Sequence, residues 1–311
     1  MEEKNQISFS QTVKKEILSA EILSPCCVHA AAYGMACFAR TFDETGLILH
    51  TETTAVAQLA KKLFSALGVN GKIYVRGTAD SRIYEFAVKN AQDIACMLEQ
   101  FGHAQKLPSL RINSKNFVCE HCVGSFTAGA FLACGTMTNP QKEYNLEFVS
   151  GRYHLVQDFG ALLKGRGFSP KYALRKGNHV LYFKASEQIE DMLTYMGASG
   201  AALEIMNLKV FKDIRNKANR ITNCETANID KTVQASGAAL AAIEYLKSNH
   251  ALEGLPQALQ EAARLREEFP DVSLKELADK FTPPLSKSGI SHRMKKLEQA
   301  AQNLKERKNN G

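Results

Sequence analysis

The feature that most constrains this chain is a repetition of its own element order. Residues 47–52 (LILHTE) form a strand-like run. A helical run at 55–69 follows, with apolar residues at 3–4 spacing and a Gly68–Val69 ending. About 98 residues later, 145–150 (NLEFVS) precedes 154–168, which ends Gly167–Phe168 in the same way. Residues 71–77 with 84–88, and 170–177 with 180–183, then read as two hairpins. Closing helices carry Ile94, Met97 and Leu98 in one unit and Ile189, Met192 and Leu193 in the other. Each unit opens with an apolar helix rich in small residues, 29–39 and 124–134. Five matched elements in one order read as a duplication within an α+β domain of residues 1–200, with pseudo-repeats of about 28–99 and 123–197. Ala and Gly in the two opening helices let backbones approach closely. That joins the halves about a pseudo-two-fold axis and sets two antiparallel sheets side by side as a saddle.

At 311 residues the chain has room for about two domains, and 45% hydrophobic with 23% charged residues excludes wholesale disorder. The start, MEEKN, is acidic and polar and lacks a secretory n-region. Residues 22–39 are uncharged but are interrupted by Ser24, Pro25, His29 and Gly34, so they read as a buried helix and not a membrane span. With eight cysteines and no export signal, reduced thiols and a cytoplasmic location are expected. The net charge of +7 matters through its position. Residues 151–185 hold seven bases (Arg152, Lys164, Arg166, Lys171, Arg175, Lys176 and Lys184) against Asp158, a local +6. Such a strip on sheet and helix suits a phosphate backbone as a secondary contact surface.

The repeat stops near residue 204. Residues 212–231 are dense in Asn and charge and read as a polar connector, followed by a linker helix at 233–246, so that 201–254 separates the domains. Residues 255–311 form a three-helix pattern. The first helix starts near Pro256 and buries Leu259, Ala262, Leu265 and Phe269. Ser273-Leu274-Lys275-Glu276 is a capping box opening a short second helix. After a turn at 282–285, Ser286 or Ser288 caps a third helix with Ile290, Met294 and Leu297 on its core face. Lys287, Ser288, Ser291, His292, Lys295 and Lys296 then lie on or near the outward face, with Arg293 adjacent, and residues 286–308 carry a local +5. A short capped helix, a turn and a basic helix with polar residues near its start is the pattern that enters a DNA major groove. The expected contact residues are those six with Arg293, Ser273, Lys275 and Ser286.

These elements together resemble the WhiA family, over nearly the whole chain. The resemblance rests on Ser8-Phe9-Ser10 with Val13-Lys14-Lys15-Glu16-Ile17-Leu18, the Cys26-Cys27 pair, residues 129–136 (GAFLACGT), 219–228 (NRITNCETAN) and 274–293. It implies a degenerate LAGLIDADG homing-endonuclease-like domain joined to an all-α helix-turn-helix domain. It further implies roles in cell division, chromosome segregation and sporulation-type transcription regulation, with double-stranded DNA as partner on the nucleoid. A protein co-regulator is a further expected partner; neither a membrane nor a small-molecule substrate is. Homing endonucleases of this fold place one acid near the end of each central helix, where metal ions assist phosphodiester hydrolysis. Here Ala39 and Cys134 stand at those positions, and neither offers the hard oxygen ligand Mg²⁺ requires, so no enzyme activity is expected. Cys119 and Cys122 form a C-x-x-C, but zinc needs a second pair, which Cys26 and Cys27 supply only if folding brings them near. The default expectation is therefore free thiols, with no metal and no cofactor.

Overall fold

The structure, a computed structural model, describes residues 7–21, 24–78, 81–105 and 108–309. The chain divides into two compact units, Met1–Phe211 and Lys212–Gly311. The first begins with α1 (Phe9–Ser19), closed at its start by a capping box between Ser8 and Gln11. The first repeat follows as α2 (Pro25–Cys37), β1 (Thr41–Asp43), β2 (Gly46–Thr51), α3 (Thr54–Ala66), β3 (Lys72–Thr78), β4 (Ser81–Val88) and α4 (Ala91–Gln100). The second runs α5 (Cys122–Cys134), β5 (Gly135–Met137), β6 (Leu146–Ser150), α6 (Tyr153–Lys164), β7 (Lys171–Arg175), β8 (Asn178–Phe183) and α7 (Ser186–Tyr195). Both sheets are antiparallel with matching strand order, β1-β2-β4-β3 and β5-β6-β8-β7. The duplication is thus expressed strand for strand. β1 and β5, absent from the sequence reading, are three residues each, too short to show a period of two.

The two central helices, α2 and α5, are buried nearly all round. Their close approach depends on one glycine from each. A Cβ at Gly34 would lie 2.1 Å from the Phe126 carbonyl oxygen, and one at Gly129 2.1 Å from that of Ala31. Gly34 and Gly129 are 95 positions apart, as are Ala31 and Phe126, so one contact is made twice about the pseudo-axis. Phe38, Phe126, Phe148 and Phe159 fill the core beside this crossing with edge-to-face rings.

The helix α8 (Ser199–Ser248) is 50 residues long and corrects the reading of 212–231 as a connector. That segment contains neither Gly nor Pro, and its Lys, Arg, Glu and Ala are compatible with helix. Its apolar residues Ile214, Ile221 and Ile229 are exposed, which is why no buried face showed in the pattern. In the second unit the end of α8 supplies Ala239, Ala242, Ile243 and Leu246 to one core with α9 (Gln257–Glu268), α10 (Leu274–Ala278) and α11 (Lys287–Asn309). The C-terminal module therefore starts well before residue 255, and its core is four-helical. Among the described residues, no helix is long and apolar enough to cross a membrane.

Candidate nucleic-acid interface

In the second unit, Ser273 and Glu276 satisfy each other's backbone N–H groups, fixing the start of α10. Ser286 caps α11 by accepting from the Gly289 N–H at 3.1 Å, and its hydroxyl meets that of Ser288 at 2.9 Å. Ile290, Met294, Leu297 and Ala301 are buried. Helical geometry then sets Ser288, His292, Lys295 and Lys296 on the opposite face, with Ser291 on its flank. His292, Lys295 and Lys296 are exposed and Ser291 is half-buried. Arg293 behaves differently. Its guanidinium lies over the Phe281 ring at 5.1 Å, donates to the Ala258 carbonyl at 3.3 Å and approaches Glu261 at 3.8 Å, so it fastens α11 to α9.

Two residues here were not singled out from the sequence. Arg266 is 1% exposed, and its Nη1 donates to the carbonyls of Phe269, Pro270 and Val272 at 3.2, 3.3 and 2.8 Å, pinning the loop before α10. Its Nε has no hydrogen-bond partner among the described residues. Arg266 also lines a cavity of about 210 Å³ with Lys231, Lys275 and Lys287. Four bases around one concavity make an anion-attracting site beside the start of α11. Lys231 was legible only as part of a connector, and nothing in the local pattern relates it to Lys275.

In the first unit, the strand registers separate two faces of the sheet. Leu47, Leu49, Phe86 and Val88 face the core, while Lys72, Tyr74, Arg76 and Glu85 share the other face of their sheet. On the second sheet the corresponding open face carries Lys171, Arg175, Glu147 and Tyr182. Lys72 and Arg76 correspond to Lys171 and Arg175 at a spacing of 99, so each outer strand bears the same pair of bases. The acids nearby in sequence hid the first pair; shifting Lys171 and Arg175 back through the repeat reveals it. Glu85, 3% exposed, accepts from Arg76 at 2.6 and 3.1 Å and meets His50 and Lys89 at 3.3 and 3.4 Å. The Arg76 guanidinium, followed by His50 and Lys89, holds its carboxyl down at about 2 against the cost of burial. Arg175 pairs with Glu147 and lies over Tyr182. Lys164, Arg166, Lys171, Lys176 and Lys184 are exposed.

Arg152 is not part of that exposed strip. Its guanidinium turns inward and donates to the carbonyls of Cys37, Ala39 and Arg40 at 3.0, 2.8 and 3.1 Å, capping the C-terminus of α2. At the equivalent end of α5, half-buried Lys14 faces Cys134 and lies 6.0 Å from the Phe131 ring centroid. Desolvation pushes the Cys134 thiol up to about 12, so it stands there as a neutral thiol. Asp43, the nearest acid after α2, accepts from the Thr45 backbone and hydroxyl in the β1–β2 turn. Each helix end that would present a carboxylate to a metal ion instead presents a neutral residue beside a resident cation.

The fold and this interface define a LAGLIDADG-like domain followed by a helix-turn-helix domain. The WhiA LAGLIDADG-like domain matches residues 123–215, and the WhiA C-terminal HTH domain matches residues 218–301. A probable cell division protein WhiA of Alkaliphilus metalliredigens is 32% identical, covering 95% of this chain and 98% of its own. The protein of that name from Ruminiclostridium cellulolyticum is 34% identical, covering 98% and 99%. The crystal structure of full-length DUF199/WhiA from Thermatoga maritima matches the fold with a TM-score of 0.58 at 22% identity, covering 95% of this chain and 98% of the other. This chain belongs to the WhiA family.

Proposed function

We propose that this chain is a non-catalytic, sequence-specific double-stranded-DNA-binding protein that acts on the nucleoid in cell division. Transcription regulation is the means we assign to it, with chromosome segregation among the processes served. The observation that carries the DNA reading is the exposed face of α11, where Ser288, His292, Lys295 and Lys296 lie opposite the buried Ile290, Met294 and Leu297, with half-buried Ser291 at its edge. Polar side chains near the start of a basic helix read base edges, and the lysines around them neutralise phosphates. The basic cavity beside α11 and the paired bases on the outer strands β3 and β7 add backbone contacts in the same chemistry. The cell-division role is taken from the names of the relatives. The non-catalytic reading is supported by Ala39 and Cys134 at the helix ends, each beside a cation. Two positive charges already held there oppose the entry of a further divalent cation.

Selection of bound duplexes from a randomised pool by the full chain, followed by binding titrations at several salt concentrations, tests this. Lys295→Ala should weaken binding to all sequences and flatten the log–log salt slope by about one unit. Ser291→Ala and His292→Ala should change base preference, by about 1–3 kcal/mol at one position. A uniform loss from all three would refute direct readout by α11. Cleavage of a selected duplex in Mg²⁺ or Mn²⁺ would refute the non-catalytic reading.

A further inference from the structure

Cys26 and Cys27 occupy the first turn of α2, and Cys122 is the first residue of α5 with Cys119 three positions earlier. Folding brings all four sulfurs within 4.8 Å of one another, across 92 residues of chain between Cys27 and Cys119. The Cys27 and Cys119 sulfurs are 3.6 Å apart, and those of Cys119 and Cys122 are 3.5 Å apart. A disulfide requires about 2.05 Å, so these are four thiols. Sulfurs about 2.3 Å from a tetrahedral ion lie roughly 3.8 Å from each other, close to the observed separations. We propose that Cys26, Cys27, Cys119 and Cys122 form a tetrathiolate zinc site that ties together the N-terminal ends of the two central helices.

Further observations carry the assignment. The donor set is entirely sulfur, which favours Zn²⁺ over Mg²⁺ or Ca²⁺, and four donors complete a closed structural site. His121 and Glu120, between the two ligands of the second pair, are largely exposed and pair with each other, leaving the cluster to the thiols. The helix ends are prepared for negative charge. Neither Ser24 nor His121 caps its helix by a side chain; the Ser24 hydroxyl meets the Cys26 sulfur at 3.2 Å. The positive ends of both helix dipoles are then available to a zinc-tetrathiolate group of charge −2. The Cys119 N–H already donates to the Cys122 sulfur at 3.4 Å, the kind of backbone contact that steadies a bound thiolate. Cys27 and Cys122 are buried while Cys26 and Cys119 are half-buried, so the site has a closed floor and an accessible edge.

The duplication explains the position. Cys27 and Cys122 are 95 residues apart, the spacing that relates Gly34 to Gly129 and Ala39 to Cys134. One thiol from each repeat is thus related to the other by the pseudo-axis, and Cys26 and Cys119 complete the set from positions that do not correspond. The metal would fasten the helix pair at one end while the paired glycines set its approach further along.

Elemental analysis of the full chain, purified under reducing conditions without chelator, should give one zinc per chain. A Cys119→Ser/Cys122→Ser double variant should lose it, while Cys224→Ser, an exposed thiol outside the cluster, should retain it. Because misfolding of the double variant would also release zinc, the unaltered chain should be loaded with Co²⁺ in place of zinc. A tetrahedral cobalt spectrum with thiolate charge-transfer bands supports the assignment. A chain that carries no zinc and takes up none when Zn²⁺ is added overturns it. Iron in the cluster, zinc content unaffected by the double substitution, or a disulfide among these cysteines in freshly reduced protein also overturns it.

Discussion

The α2–α5 crossing makes a prediction that depends on its two-fold repetition. In Gly129→Ala the new Cβ would lie 2.1 Å from the Ala31 carbonyl oxygen and 3.1 Å from the Met35 nitrogen. Both neighbours are helix backbone and cannot rotate away. Restoring an ordinary contact of about 3.4 Å requires the helices to part by roughly 1.3 Å, and a gap of 0.5–1 Å already forfeits a quarter to a half of each dispersion well along the interface. Overpacking of this kind costs about 1–3 kcal/mol. For a unit of this size each kcal/mol lowers the melting temperature by about 2–4 °C, so a fall of roughly 2–12 °C is expected. Gly34→Ala should behave alike, since its Cβ meets the Phe126 oxygen at the same 2.1 Å. The double variant discriminates. One parting of the helices relieves both clashes, so the second substitution should add distinctly less than it costs alone, a coupling of at least about 0.5 kcal/mol. Differential scanning calorimetry of the full chain measures all three. Strict additivity, or a single substitution without measurable loss, would refute the reasoning.

In the second unit, Arg266→Met should destabilise by about 2 kcal/mol, because the carbonyls of Phe269, Pro270 and Val272 lose a shared donor. Equal or greater calorimetric stability would mean that burying the guanidinium costs more than its three bonds return. Ser273→Ala should remove about 1 kcal/mol through loss of the α10 cap, read in the same experiment. Glu85 gives a pH dependence. Its folded pKa, about 2, lies below the ordinary value of 4.5, so its contribution is complete above pH 4.5 and is lost as pH falls through 2. Wild-type stability, followed by denaturant titration, should therefore decline over that window more steeply than that of Glu85→Gln, and parallel curves would exclude the ion-pair cluster as the cause.

The sequence by itself determined the duplication and the C-terminal helices, because both are written in short-range patterns. A period of two or 3.6, a Gly ending a helix and a capping box each act within a few residues, and the same signals recur about 98 positions apart. The outward face of α11 followed once Ile290, Met294 and Leu297 were assigned inward. Short strands β1 and β5 and the exposed stretch of α8 escaped because their residues are too few, or too solvent-facing, to show a period. Only the tertiary structure decided which charges are free and which thiols are neighbours. Arg152 and Lys171 look equivalent in the basic strip, yet one caps the carbonyls at the end of α2 and the other remains on the sheet surface. Arg293 and Lys295 differ in the same way. Cys119-x-x-Cys122 was visible as a local pair, and only the packing of α2 on α5 brought Cys26 and Cys27 beside it. Such partnerships arise from contacts across many tens of residues, which carry no local period and exist only after the helices close on one another.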